Sequence, residues 1–415
     1  MAVLDRSFSG NIPKILAAQM KWEALKQHFW GKFAKFNTPG KKVIVTKASI
    51  PQPISSPIVM QNELSRAMGD LLKIPLMRNL INLPTVGMDQ LKGHEEKQMI
   101  NHAYVPIDIV RHAVKPQEGV MSTQTTKDYR LIQNSKPMLL RQYAEVEEYL
   151  GCSYSFYYGY SYNILQSSRF AGNSQNITSV SHPHIFVAGQ GKVGYGTVDY
   201  PGTANYETAI GTAVSAMNDT NVFDTQFLGG LKAHEQVRRT DPIILKDGNE
   251  LRLIVAHPYQ ITTLEADEKF RQLVASTHAI QLAKDNPLLM GAKYVYGNFA
   301  IYDSSTAIWP VTVVGGDPVY GPSTISTLDS FKDYEGYEVF GAILLGNNAM
   351  FKATGQQLEF KKRIDDYEEI IGIAYRVVEG YSRADYWNDD DGTRGAYLKN
   401  DGSCLLLTWA EAPSM

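Results

Sequence analysis

Five short clusters hold the residue types that could do chemistry. Gly189-Gln-Gly-Lys-Val-Gly194 has the glycine spacing of a dinucleotide-binding turn and follows an apolar strand pattern, Ile185-Phe-Val-Ala188. Such a turn must open a helix whose N-terminus receives a pyrophosphate. Tyr195-Gly-Thr-Val-Asp-Tyr-Pro201 cannot start one, so a glycine-rich surface loop is the better reading. His182-Pro-His184, with His234 and Glu235, could supply metal ligands, but no short fixed spacing ties them together, and a satisfied or solvated pair is the plainer assignment. Asn388-Asp-Asp-Asp-Gly392 lacks the alternating ligands and closing Glu of a calcium loop. It reads as a solvated acidic turn, with a cation between subunits as the other reading. Cys152, in Gly151-Cys-Ser-Tyr-Ser-Phe-Tyr-Tyr-Gly159, has no His near it in sequence and reads as a packed thiol. The cluster Tyr154, Phe156, Tyr157, Tyr158, Tyr160 and Tyr162 could stack bases, yet no Lys or Arg is interleaved, which favours core or interface packing. Neither a Gly-x-Ser-x-Gly elbow nor a P-loop is present. No catalytic residue, cofactor or metal ligand is assigned.

The scaffold that must position these residues is long enough for two or three domains: 415 residues, 44% hydrophobic and 20% charged, the balance of a soluble globular chain. Two cysteines exclude a disulfide framework and favour a reducing cytoplasm. The start, Met-Ala-Val-Leu-Asp-Arg, lacks the pattern of a signal peptide, and no apolar run is long enough to span a bilayer, so no membrane partner is expected. The net charge of -3 is unevenly placed. Residues 1 to 50 carry nine Lys or Arg against Asp5 and Glu23, +7, whereas residues 329 to 415 carry nine Lys or Arg against sixteen Asp or Glu, -7. A basic arm can bind nucleic acid. Docking on an acidic surface of an identical neighbour suits the near-neutral total better.

Periodicity divides the chain further. A helix is predicted over Ile12 to Phe36, with Ile15, Leu16, Trp22, Leu25 and Phe29 near one face, followed by a strand at Lys41 to Thr46. Pro51, Pro53 and Pro57 then open an irregular connection that rejoins a strand at Tyr104, where Val105, Ile107 and Ile109 alternate with Tyr104, Pro106, Asp108 and Val110. Pro106 lacks a ladder donor, so the strand should lie at an edge or pair on one side there. Thr125-Thr-Lys-Asp128 offers a weak capping box ahead of a helix whose apolar positions include Ile132, Leu139, Leu140, Tyr143, Val146, Tyr149 and Leu150, with a kink or break expected at Pro137. Helices are predicted over Thr208 to Asn218 and Glu265 to Lys284, strands over Tyr294 to Val314, and an exposed hairpin from Asn388 onward, with a turn at Lys399-Asn-Asp-Gly402.

Several of these stretches resemble, in order and spacing, the tailed-bacteriophage major capsid proteins, in particular the branch typified by phage N-four. The matching positions are Gly93, Glu95 and Glu96; Val105, Ile107, Asp108, Arg111, Ala113 and Val114; and Gly119, Met121 and Gln124. Arg252-Leu-Ile-Val-Ala-His-Pro-Tyr-Gln260 is similar to the family's strand ending in His-Pro-x-Gln, with Asn286-Pro-Leu-Leu-Met-Gly291 and Gly297-Asn-Phe-Ala-Ile-Tyr302 following. Val339-Phe-Gly-Ala-Ile-Leu-Leu-Gly-Asn-Asn-Ala349, Asp365-Asp-Tyr367, Gly372-Ile373 and Val378-Glu-Gly-Tyr381 are similar to its closing section.

The resemblance implies an α+β chain of the Hong Kong ninety-seven-like fold. It divides the chain into an N-terminal arm (1–40), an extended loop (41–112), a peripheral domain with a long spine helix (113–165), an axial domain (166–292), the returning strands of the peripheral domain (293–386) and a C-terminal hairpin (387–415). It further implies self-assembly through hexamers and pentamers into an icosahedral virion shell, formed in the bacterial host cytoplasm. The implied partners are a portal protein, a scaffold or decoration protein, and packaged double-stranded DNA bound without sequence preference. Scaffolding, if used, is expected on a separate chain. The competing reading is a hydrolase or carbohydrate-binding domain using the Gly- and Tyr-rich middle section.

Overall fold

The computed structural model describes residues 29–37, 56–61, 71–77, 92, 100–114, 131–158, 182–193 without 183 and 190, 204–244 without 239, 250–276, 291–321, 336–365, 370–387, 397–400 and 402–410. Its strands form three main sheets.

The first sheet combines β1 (Ala34–Asn37), β2 (Ile58–Gln61), β5 (Asp108–Val114) and the long antiparallel pair β15 (Met350–Asp365) and β16 (Ile370–Arg383), in the order β1-β2-β15-β16-β5. Across its face lies α1 (Leu131–Val146), extended by a π-helical turn (Glu147–Cys152) and the short α2 (Ser153–Tyr158). Leu139, Leu140, Tyr143 and Ala144 fall at helical spacing and bury against Val110, Leu358, Ile373, Tyr375 and Val377. Pro137 lies inside α1, and the change of helical geometry comes ten residues later, at the π turn.

The second sheet runs β10 (Tyr294–Tyr296), β11 (Phe299–Asp303), β9 (Glu250–Ala256), β14 (Val339–Leu345), β19 (Ser403–Trp409), β6 (Ile185–Val187), β7 (Gly191–Val193). Joined to it are β8 (Ile243–Ile244), β12 (Pro310–Val314) and β13 (Asp317–Tyr320). Both faces are covered. Phe186, Ile254, Ile301, Leu344 and Leu406 pack with residues of α4 (Thr225–Arg238), α5 (Pro258–Ala266) and α6 (Glu268–Ser276). Ile185, Leu253, Ala300, Ile343 and Leu405 face a core that includes α2 and α3 (Ala204–Ser215).

The third sheet, β18-β17-β4-β3, joins β3 (Leu71–Met77) and β4 (Ile100–Pro106) with β17 (Tyr386–Trp387) and β18 (Tyr397–Lys399). Val105 and Ile107 from this side meet Val59, Phe351 and Val378 of the first sheet.

Several expectations need correction. The strand read across Tyr104 to Val114 is two strands in two sheets, divided at Ile107. Alternation therefore fails at Ile109, which is 36% exposed, while Val110 is buried. Pro106 pairs with Leu71 on one side, since β17 reaches β4 only at His102 and Ala103. The connection after Pro57 is not irregular throughout, for β2 and β3 lie within it. Phe29–Phe33 is a 3-10 turn followed by β1, not the end of a helix reaching Phe36. The helix expected from Glu265 begins at Pro258, and Asp267 separates two helices by accepting from the backbone N–H of Lys269 and of Thr225. The strand at the end of the chain is not an arm of an exposed hairpin. Leu405, Leu406 and Leu407 are fully buried in β19, in the middle of the largest sheet. A strand covered on both faces reads as an unbroken apolar run.

Candidate functional site

The sequence-selected groups are mostly structural where the structure describes them. Gly189, with φ +74°, turns the chain between β6 and β7, and Gly191–Val193 continues as a strand, so no helix N-terminus stands behind the glycine pattern there. His182 is buried and its Nε2 lies 2.9 Å from Ser403 Oγ, while its Nδ1 accepts from His184 N–H at 3.1 Å. His234 Nδ1 lies 3.3 Å from Glu235 Oε1, and Glu235 also bonds Thr240. Among the described residues, no group of three or more His, Cys, Asp or Glu is arranged to hold a metal. Residues 388–392, Tyr160 and Tyr162, the capping box at 125–128 and the strand at 41–46 lie outside the described residues.

Tyr154, Phe156 and Tyr157 of the tyrosine cluster pack inward. Tyr157 stacks on Trp309 with ring centroids 5.3 Å apart and planes 9° apart. Its hydroxyl donates to Gly341 O at 2.6 Å and accepts from Trp309 N–H at 2.8 Å. One phenol thus fastens α2 to β14 and to the start of β12. Trp30 is fully buried, tilts against Phe156 at 4.8 Å and donates through Nε1 to Ser153 Oγ at 3.3 Å. The last part of the N-terminal segment is anchored by these contacts to α2.

Beneath the helix lies a buried polar cluster. Tyr143 and Glu147 on the helical side, and Lys352 on β15 and Glu379 on β16, are each no more than 2% exposed. Lys352 Nζ lies 2.5 Å from Glu147 Oε1 and 3.5 Å from Glu379 Oε2. Tyr143 bonds both Glu147 and Glu379, the latter at 2.9 Å. Burial works against the Lys352 ammonium, but Glu147 and Glu379 outweigh it and raise its pKa, so it stays charged and is no nucleophile. Burial pushes the nearby Cys152 thiol well up, which removes it as a nucleophile too. Charges in β-strands are normally solvated, so nothing in the sequence marked Lys352 and Glu379 as partners.

Two further buried joints follow, the second of them built on motif residues. Arg383 is buried and grips Asp385 through Nε and Nη2, the latter at 2.8 Å, while Nη1 donates to Phe156 O at 3.0 Å and Tyr157 O at 3.2 Å. Asn400 Nδ2 donates to Asp385 at 2.7 Å, and its Oδ1 accepts from Gly402 and Ser403 N–H. His257-Pro-Tyr-Gln260 is a helix N-cap. His257 N–H donates to Gln260 Oε1 at 2.9 Å, and His257 Nδ1 accepts from Tyr259 N–H at 3.3 Å. Gln260 Nε2 then donates to Phe340 O at 3.0 Å and Thr408 Oγ1 at 2.6 Å, tying α5 to β14 and β19. Burial lowers the His257 pKa to about 4, which keeps the imidazole neutral and able to accept.

A cleft of about 340 Å³ opens beside α4, lined by Phe186, Ala188, Asn221, Asp224, Gln226 and Phe227 among others. Asp224 is the one carboxylate in its lining and accepts from Phe227 N–H at 2.7 Å as a helix cap. Among the described residues no second carboxylate lines it, so they do not form the acid–base pair of a glycoside hydrolase there.

The family model described as phage capsid protein matches residues 187–408, just over half of the 415 residues. The fold is similar to the capsid of Ralstonia phage GP4 at 18% identity, with 91% of this chain and 99% of that chain covered and a TM-score of 0.59. It is also similar to the Cyanophage Pam1 capsid asymmetric unit at 15% identity, with 88% and 94% covered and a TM-score of 0.51. No curated protein matches it significantly.

Proposed function

The chain belongs to the phage capsid protein family, and from that premise we propose that it closes an icosahedral shell through hexameric and pentameric rings of copies of itself. It is a major capsid protein of the Hong Kong ninety-seven-like fold, and its place is the virion shell. The observation that carries the proposal is the family match over residues 187–408, which takes in the large sheet and the long β15–β16 pair. A role without catalysis accords with the burial of Lys352, Cys152 and His257, the groups nearest to chemical use.

In the proposed division of labour, the segment containing β3 and β4 is an extended loop laid on the adjacent subunit. The first sheet with α1 is the peripheral domain, and the middle of the chain is the axial domain at the ring centre. The basic segment of residues 1 to 50 docks on acidic surface of a neighbour. Many modest contacts distributed over such arms and loops add to a large joint effect. A portal protein at one vertex, and a scaffold or decoration protein during closure, complete the partners, with assembly in the host cytoplasm. Packaged double-stranded DNA is touched without sequence preference, and a net charge of -3 avoids the tight electrostatic hold of a basic lining.

Sedimentation of the purified full chain tests the proposal. Species far heavier than the 46.3 kDa subunit, seen as shells, tubes or rings by negative stain, are expected. A small monodisperse species at every concentration and salt would overturn it.

A further inference from the structure

Two oxygen–oxygen contacts meet at one phenol: Tyr143 Oη bonds Glu147 and, at 2.9 Å, Glu379. Each contact needs a hydrogen between the oxygens, and a phenol has one to give. We propose that Glu147 and Glu379 hold a second proton between them, so that a carboxyl and a carboxylate, bridged by Tyr143 and the Lys352 ammonium, fasten the π turn to β15 and β16. With that proton the four groups are neutral together: one ammonium, one carboxylate, one carboxyl and one phenol. Without it they would carry a net negative charge in a buried place, which is costly.

The groups facing the pair come from every packed element. The helix and its π turn present Tyr143, Glu148 and Cys152, β15 presents Lys352, and β16 presents Tyr375 and Tyr381. Lys352 Nζ also lies 4.9 Å from the centre of the Tyr381 ring. Burial first, then the neighbouring Glu147 and Glu379, pushes Tyr143 well above the ordinary phenol range, and burial does the same for Tyr381 and Cys152, so these three keep their protons. The proton that leaves on alkaline titration therefore comes from the carboxyl pair and passes to a base in solution. The folded chain then gives up a proton that the unfolded chain has already released, and stability falls as pH rises. The π turn supplies the geometry: Glu147 begins it, and Gly151 within it sits so close to Tyr381 that a Cβ would stand 2.8 Å from the ring.

Infrared spectra of the full chain labelled with ¹³C-glutamate test this. A protonated glutamate carboxyl band is expected at pH 7, where ordinary glutamates, with pKa about 4.3, are ionised. It should vanish on alkaline titration and be missing from Glu147→Gln, whose thermal stability should also fall less between neutral and alkaline pH than that of the wild type. No such band in the wild type, or one that survives both Glu147→Gln and Glu379→Gln, would overturn the proposal. If those variants do not fold, Tyr143→Phe serves instead, since loss of the bridging hydroxyl must move the band, and a band left unmoved would overturn it equally.

Discussion

Gly380 lies so close beneath Pro106 that a Cβ added to it would stand 1.7 Å from the Pro106 carbonyl oxygen. The approach occurs where the chain leaves β4 and enters β5, changing sheets across the body of β16. Glu379 of the buried cluster precedes Gly380, and Tyr381 over the π turn follows it. The Val378-Glu-Gly-Tyr381 motif therefore packs three different demands into three consecutive residues.

Gly380→Ala should destabilise the subunit by about 3 kcal/mol, the upper part of the range for overpacking, because the clash is with backbone and not with a flexible side chain. Chemical denaturation measures it. A change below about 0.5 kcal/mol would mean that β16 and the β4–β5 crossing are not in contact.

His257 gives a pH dependence whose sign follows from its neutral buried state. Its pKa falls from 6.5 to about 4, so between those values the unfolded chain takes up a proton that the folded chain refuses. The full contribution is present above pH 6.5 and is lost as pH falls toward 4, amounting to about 3 kcal/mol. His257→Asn preserves an N-cap acceptor and removes the titration. The difference in stability between wild type and variant should narrow or reverse as pH drops through this window, and a constant difference would contradict the assignment.

Arg383→Leu should cost about 3 to 5 kcal/mol, because it leaves Asp385, 4% exposed, without its cation. Adding Asp385→Asn should restore part of that loss. Urea denaturation of the single and double variants separates the buried charge from simple loss of packing, since a loss of packing alone would not be restored.

The extended-loop reading is tested by replacing residues 78–99, between β3 and β4, with a short Gly-Ser turn. The variant should keep the thermal unfolding of the wild type and fail to form closed particles. Normal particles from it would show that the segment does not join neighbours.

The strongly periodic parts were legible in the sequence: the apolar face of α1 at Leu139, Leu140 and Tyr143, and the strands after Tyr294, while the strand into His257-Pro-Tyr-Gln260 was marked by the resemblance. What escaped depended on tertiary context. Leu405 to Trp409 was expected at the surface because nothing local says that helices cover both faces of a strand. The break at Ile107 is set by two sheets competing for one segment, and Asp267 ends one helix, caps the next by accepting from Lys269 N–H, and also accepts from Thr225 N–H of a third. The polar joints escaped for the same reason: Glu147 lies 205 residues from Lys352, and Tyr143 lies 236 from Glu379. The motif positions Gln260, Glu379 and Gly380 were marked by resemblance alone, and their geometry now supplies the reason for each residue type.

The central claim is that this chain forms the wall of a closed shell, and electron cryomicroscopy of particles assembled from the full-length chain tests it most directly. The expected map has the three sheets and α1 repeated in five- and six-fold rings, with the β3–β4 pair of each subunit lying on its neighbour. A preparation that stays a single small species under every assembly condition, or particles whose wall cannot be built from this fold, would contradict it.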